Sequence, residues 1–222
     1  MTLQANARLA GFTYLFYIAV AFPQMTLEST VTKPEGIPAK LLAMAQHAGG
    51  LRLAVVLGIL AAFSAIVLAV GLFGITRDVD RELSVLALSC RVGEGILGGF
   101  GTLGTLALLW LGTAVPAGTL DAAAAATLAP MVLRIGAWTP LIAAAFFAVG
   151  STLFSTLLLR SRRIPVPLAW LGVIGSAVLV AGLPLQLAAV VKGPLTQLMW
   201  LPVAAFELVT GPWLLFKGVR VA

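Results

Sequence analysis

The chain has one cysteine, Cys90, and one histidine, His47. A single thiol excludes an intramolecular disulfide. One Cys and one His also fall short of an ordinary structural zinc site, which takes four such ligands. Only 10% of the residues are charged. So little polar surface excludes an ordinary water-soluble globule, in which about a quarter of residues carry charge. No G-x-S-x-G, P-loop or H-E-x-x-H pattern occurs, and nothing marks a Ser or Thr as activated. No cofactor and no metal are implied.

What the chain does have is hydrocarbon. Sixty per cent of residues are hydrophobic, and the mean hydropathy is +1.07. About 20 helical residues at 1.5 Å each cover a bilayer core about 30 Å thick. Six apolar runs meet that length, at about 9–27, 51–75, 83–111, 130–159, 166–191 and 195–216. The expected fold is therefore all-α, a polytopic bundle of six transmembrane helices forming one integral membrane domain over residues 1–222. Ala19-Val20-Ala21 resembles a signal cleavage site, but Arg8 is the only basic residue before it, so the first run is read as a retained helix.

The connections orient the bundle. Arg8, Arg77, Arg81, Arg160, Arg162, Arg163, Lys217 and Arg220 fall on one side. Lys33, Lys40 and Lys192, with Arg52 and Arg134 at span edges, fall on the other. Eight against five places both termini in the cytoplasm by the positive-inside rule. The net charge of +6 thus serves membrane orientation, not nucleic-acid binding. The longest loop, residues 28–50, is expected outside, and Pro34 and Pro38 forbid a single helix through it. Within it, residues 37–47 read equally well as a short amphipathic helix on the membrane surface or as a plain connector. Asp121 is the expected N-cap of a short helical turn before the fourth span.

Charges inside the spans are the candidate site. A carboxylate at mid-membrane costs about 2.5–3.5 kcal/mol on insertion scales, so it needs a partner, a proton or water. Arg91 and Glu94 are three residues apart and share a helix face. Glu207 lies at similar depth in the last span. Two readings of these three stand: a functional one, either a proton- or cation-linked site or a pocket for a polar head group, and a structural salt bridge fixing helix register. Arg52 and Arg134 either snorkel to the head groups or form an outer contact for a lipid phosphate, and His47 joins them as a loop or interface residue. Gly95 and Gly99 form a G-x-x-x-G unit beside Glu94, which predicts close helix packing. Pro140, Pro184 and Pro202 are expected to kink their spans or free carbonyls.

Three ordered signatures carry a resemblance. The first is Arg8-Leu9-Ala10-Gly11 with Tyr14-Leu15. The second is Arg160-Ser161-Arg162-Arg163-Ile164-Pro165, followed by Leu168-Ala169 and Leu171-Gly172. The third is Pro202, Phe206-Glu207, Gly211, Trp213-Leu214-Leu215 and Lys217-Gly218. With these the chain resembles the bacterial membrane-protein family catalogued as domain of unknown function 4386. Pro212 departs from the family pattern and predicts a local bend. The resemblance implies six spans and a bacterial inner membrane, and supplies no reaction. Three function classes follow: a small transporter-like protein using Arg91, Glu94 and Glu207 on a small molecule or proton, a non-catalytic lipid-binding or membrane-organising protein, and an intramembrane enzyme acting on a lipid or quinone. The last has no recognisable catalytic set behind it. Membrane lipids are the expected partners in every case, and the oligomeric state is open.

Overall fold

The computed structural model describes residues 1–220. Every regular element among them is helical. In order these are α1 (Leu3–Thr32), α2 (Ile37–Gln46), α3 (Ala48–Thr76), α4 (Arg81–Ala114), α5 (Ala122–Ser161), α6 (Val166–Leu187), α7 (Leu195–Leu198) and α8 (Leu201–Pro212), followed by a π-helical turn over Trp213–Lys217. Six stretches are long and apolar enough to cross a membrane: α1, α3, α4, α5, α6 and Leu195–Lys217. The chain is an all-α, multi-pass membrane protein.

Three boundaries differ from expectation. The loop expected over residues 28–50 is almost wholly helical, because α1 continues to Thr32 and α2 follows after four residues. Thr26, Ser29, Thr30 and Thr32 turn their hydroxyls back onto carbonyls three or four residues earlier, so this polar stretch satisfies itself within the helix. Pro34 and Gly36, at φ 81°, then break the path, and Pro38 sits in the first turn of α2, where no donor is needed. The fifth span was expected to reach Val191, but α6 ends at Leu187. Its last carbonyls are taken up by a tight turn in which Val190 N–H and Val191 N–H both bond to Leu185 O and Ala189 adopts φ 57°. Finally, the alanine run after Asp121 is no separate turn. Asp121 Oδ1 accepts from Ala124 N–H at 2.8 Å, and α5 runs unbroken from there to Ser161 through Pro130 and Pro140.

The described residues form two compact units. The first comprises residues 1–17, 63–95 and those from 141 onward. Its core joins Ala10, Tyr14, Leu68, Leu72, Phe154, Leu157, Phe206 and Leu214. Here α1 meets the end of the last span almost backbone to backbone: a Cβ on Gly11 would stand 2.6 Å from Gly211 O. At one end, Arg163 pairs with Asp78 through Nη2–Oδ2 at 2.5 Å and also donates to Ile75 O. The Gln4 side chain donates to Val219 O at 2.6 Å and accepts from Val219 N–H at 3.2 Å, tying both chain ends together. The second unit comprises residues 18–62 and 96–140. Its core joins Val31, Met44, Leu51, Leu108 and Leu109. Gly112 lets α2 approach α4, since a Cβ there would stand 2.8 Å from Met44 Cβ.

Candidate functional site

Within the first unit, α4 carries Arg91 and Glu94, at 1% and 7% exposure. The spacing of three puts both on one face, and Arg91 Nη1 stands 2.8 Å from Glu94 Oε2. The aliphatic stem of Arg91 rests on α5 at Gly150. A Cβ at that position would stand 2.8 Å from Arg91 Cγ and 3.1 Å from Ala87 O, so glycine makes room for the arginine. The guanidinium carbon lies 4.6 Å from the Phe147 ring centroid, a cation–π contact. Phe147 in turn stacks on Trp200 at 6.1 Å. Nη1 also reaches Ser151 Oγ at a long 3.5 Å.

The pair is incompletely satisfied. Arg91 Nε is buried and has no hydrogen-bond partner. Glu94 Oε2 is within ion-pair distance of the guanidinium yet not aligned as a hydrogen-bond acceptor. This is not the bidentate fork that makes an Arg–carboxylate contact strongest.

Glu207, on α8, is half-buried and acts electrostatically on both Arg91 and Glu94. No ion pair or hydrogen bond engages its carboxylate among the described residues. Thr210 follows three residues on, so the two share a face. Its hydroxyl is fully buried and unpartnered. Tyr14 and Tyr17 of α1 complete the set: both sense Glu94, Glu207 and Arg91 electrostatically. A Cβ on Gly211 would stand 3.1 Å from Tyr14 Cβ, which shows how closely α8 and α1 run there. Sequence reasoning has Tyr14 in a family signature but places neither tyrosine in the site, although the chain's only two lie three residues apart on one span. Phe147, Ser151 and Trp200 had no such signal.

The last span is irregular beside this set. Its hydrogen-bond ladder is interrupted at Met199 and Trp200, whose backbones stay in the α region, is regular again from Leu201, and widens to a π turn directly after Pro212. Pro202 stands where an N–H would have bonded to Leu198 O, so that carbonyl has no helical donor. Trp200, at the interruption, is the residue stacked on Phe147, so the interruption and the Arg91 guanidinium both contact one ring.

The other candidate residues belong to the second unit. Arg52 on α3, Arg134 on α5 and His47 at the end of α2 are exposed, and no hydrogen bond or ion pair engages their side chains among the described residues. The same unit holds a carboxylate that the loop expectation concealed. Glu28, within α1, accepts from Thr105 Oγ1 at 2.9 Å and lies 3.4 Å from Gln24 Nε2. No group of three or more His, Cys, Asp or Glu among the described residues is arranged to hold a metal ion. Gly99 of the G-x-x-x-G unit lines an open groove with Ile96, Phe100 and Leu103.

No curated protein and no solved structure matches the chain. Its six apolar helices and the three signatures along them agree with one family assignment: residues 9–218 match the family described as Domain of unknown function (DUF4386), and the chain belongs to that family.

Proposed function

We propose that the chain is a small transporter-like protein of the bacterial inner membrane, with both termini cytoplasmic, whose working site is Arg91, Glu94 and Glu207. One observation carries this reading. Arg91 and Glu94 neutralise each other, which leaves Glu207 as a third charge with no ion pair or hydrogen bond of its own among the described residues. In hydrocarbon such a carboxylate needs a proton or a small cation, and gaining and losing that species is what a coupling site does. The interrupted hydrogen-bond ladder of the last span supports the same reading, because the carbonyl freed before Pro202 is a backbone group that such a site can use. Depth agrees as well. Glu94 is 13 residues from Arg81 and Glu207 is 10 residues from Lys217, or about 20 and 15 Å along their helices at 1.5 Å per residue.

The test uses the purified chain in vesicles containing a pH-sensitive dye. An imposed membrane potential should drive proton entry faster than in protein-free vesicles. Glu207→Gln should abolish the difference while leaving thermal stability near wild type. Entry no faster than in empty vesicles would end the proton reading, and undiminished entry in the Gln variant would remove Glu207 from the site. Orientation is tested by reporter fusions within residues 33–36, where a cytoplasmic readout would reverse the assignment.

A further inference from the structure

The exposed face of α5 carries an open groove of about 410 Å³, lined by Pro130, Met131, Arg134, Ile135 and Trp138. Those positions recur every three or four residues, so they form one stripe along the helix. Four of the five are apolar, and Met131, Ile135 and Trp138 are each more than 40% exposed. Arg134 is the only charged residue between Asp121 and Arg160. Among the described residues its guanidinium has no partner, and neither has the indole N–H of Trp138. An apolar track ending in one free cation is complementary to an amphiphile with one negative charge.

The position of Arg134 along the chain says which amphiphile. It stands 26 residues before Arg160 on the same helix. Arg52 stands 25 residues before Arg77, and Arg8 25 before Lys33, again bracketing one helix each. At 1.5 Å per residue these intervals are about 38 Å, the hydrocarbon core plus part of the head-group layer on each side. Three helices with the same interval mark two levels at which basic side chains meet lipid phosphates. Helical side chains lean toward the helix N-terminus, so Arg134 leans away from the membrane centre, as a head-group contact requires. Trp138 lies one turn deeper, where an indole N–H meets ester carbonyls and its ring meets acyl chain.

From this we infer that the α5 groove is a phospholipid site. Arg134 holds the phosphodiester, Trp138 donates to the ester region, and Met131 and Ile135 pack against the lipid. The site is separate from the Arg91 cluster and stands whether or not that cluster moves protons.

The test is native mass spectrometry of the whole chain in detergent, titrated with phosphatidylglycerol. One basic contact near a membrane surface should change lipid retention by about fivefold. Arg134→Gln should therefore retain about five times less phosphatidylglycerol at unchanged thermal stability, and Arg134→Lys should retain most of it. Trp138→Phe should give a smaller loss. Equal retention by wild type and Arg134→Gln would overturn the site. Uncharged diacylglycerol held as well as phosphatidylglycerol would overturn the phosphate contact. Displacement of the lipid by millimolar inorganic phosphate would mean that a free anion, not a lipid, is the occupant.

Discussion

One arginine from each unit shows opposite treatment of the same residue type. In the first, Arg91 is 1% exposed, held over Phe147 and set against Glu94. In the second, Arg134 is exposed on a helix face with no partner among the described residues. The glycines near these two arginines differ too. Gly150 has an arginine stem where its side chain would be, whereas Gly136, two residues from Arg134, has nothing within 4 Å of an added Cβ. A charge sealed into hydrocarbon must be balanced inside the protein, and the backbone must make room for it. A charge at the edge leaves both tasks to the lipid.

Arg91→Gln breaks this comparison most directly. It leaves Glu94 buried without its counter-charge, and removing one partner of a buried pair costs about 3–5 kcal/mol. The double variant Arg91→Gln/Glu94→Gln should recover a large part of that loss, because the uncompensated charge goes too. Thermal unfolding in detergent measures both. A double variant no better than the single one would mean that the arginine acts through packing on Phe147 and Gly150 rather than through Glu94.

Close backbone packing gives the next effect. Alanine at Gly11 would put Cβ 2.3 Å from Leu215 N and 2.6 Å from Gly211 O, and neither backbone atom can swing aside. Overpacking of this kind costs about 1–3 kcal/mol. Alanine at Gly98 meets nothing and should be neutral, or slightly stabilising through helix propensity. Alanine at Gly99 meets only Ala62 Cβ at 3.6 Å, an ordinary contact, and should also be tolerated. A loss at Gly98 equal to that at Gly11 would contradict the open space around Gly98.

Most of the architecture was legible in the sequence, because span length and apolar content are set by bilayer thickness alone. Each expected span has its helix. The boundaries erred where local chemistry overrode composition. Thr26 to Thr32 look like a loop by polarity, but their hydroxyls bond inward and extend α1. That error hid Glu28, which was counted as the start of a loop and is instead a helical carboxylate bonded to Thr105. Of the candidate site, the charged members stood out because charge is rare here. Phe147, Ser151 and Trp200 did not, since an aromatic or a serine in a span is unremarkable until α5 and the last span bring them to one arginine.

The smallest effect concerns the surface ion pair between Arg163 and Asp78 in the first unit. The hydrogen bond from Arg163 to Asp78 holds that carboxyl below its ordinary range. A depressed folded-state value means that the stabilisation is complete above the unfolded value and disappears as pH falls through the folded one. Asp78 is 59% exposed, so solvent screening limits the pair to under about 1 kcal/mol. Arg163 keeps its bond to Ile75 O when the carboxylate is gone, which limits the loss further. Asp78→Asn should therefore lower the unfolding temperature slightly at neutral pH, and the gap from wild type should close below about pH 4. Unfolding curves from pH 7 to 3 in one detergent read both. A gap that persists undiminished at pH 3 would show that the asparagine disturbs the turn between α3 and α4 itself, and that the charge on Asp78 contributes nothing.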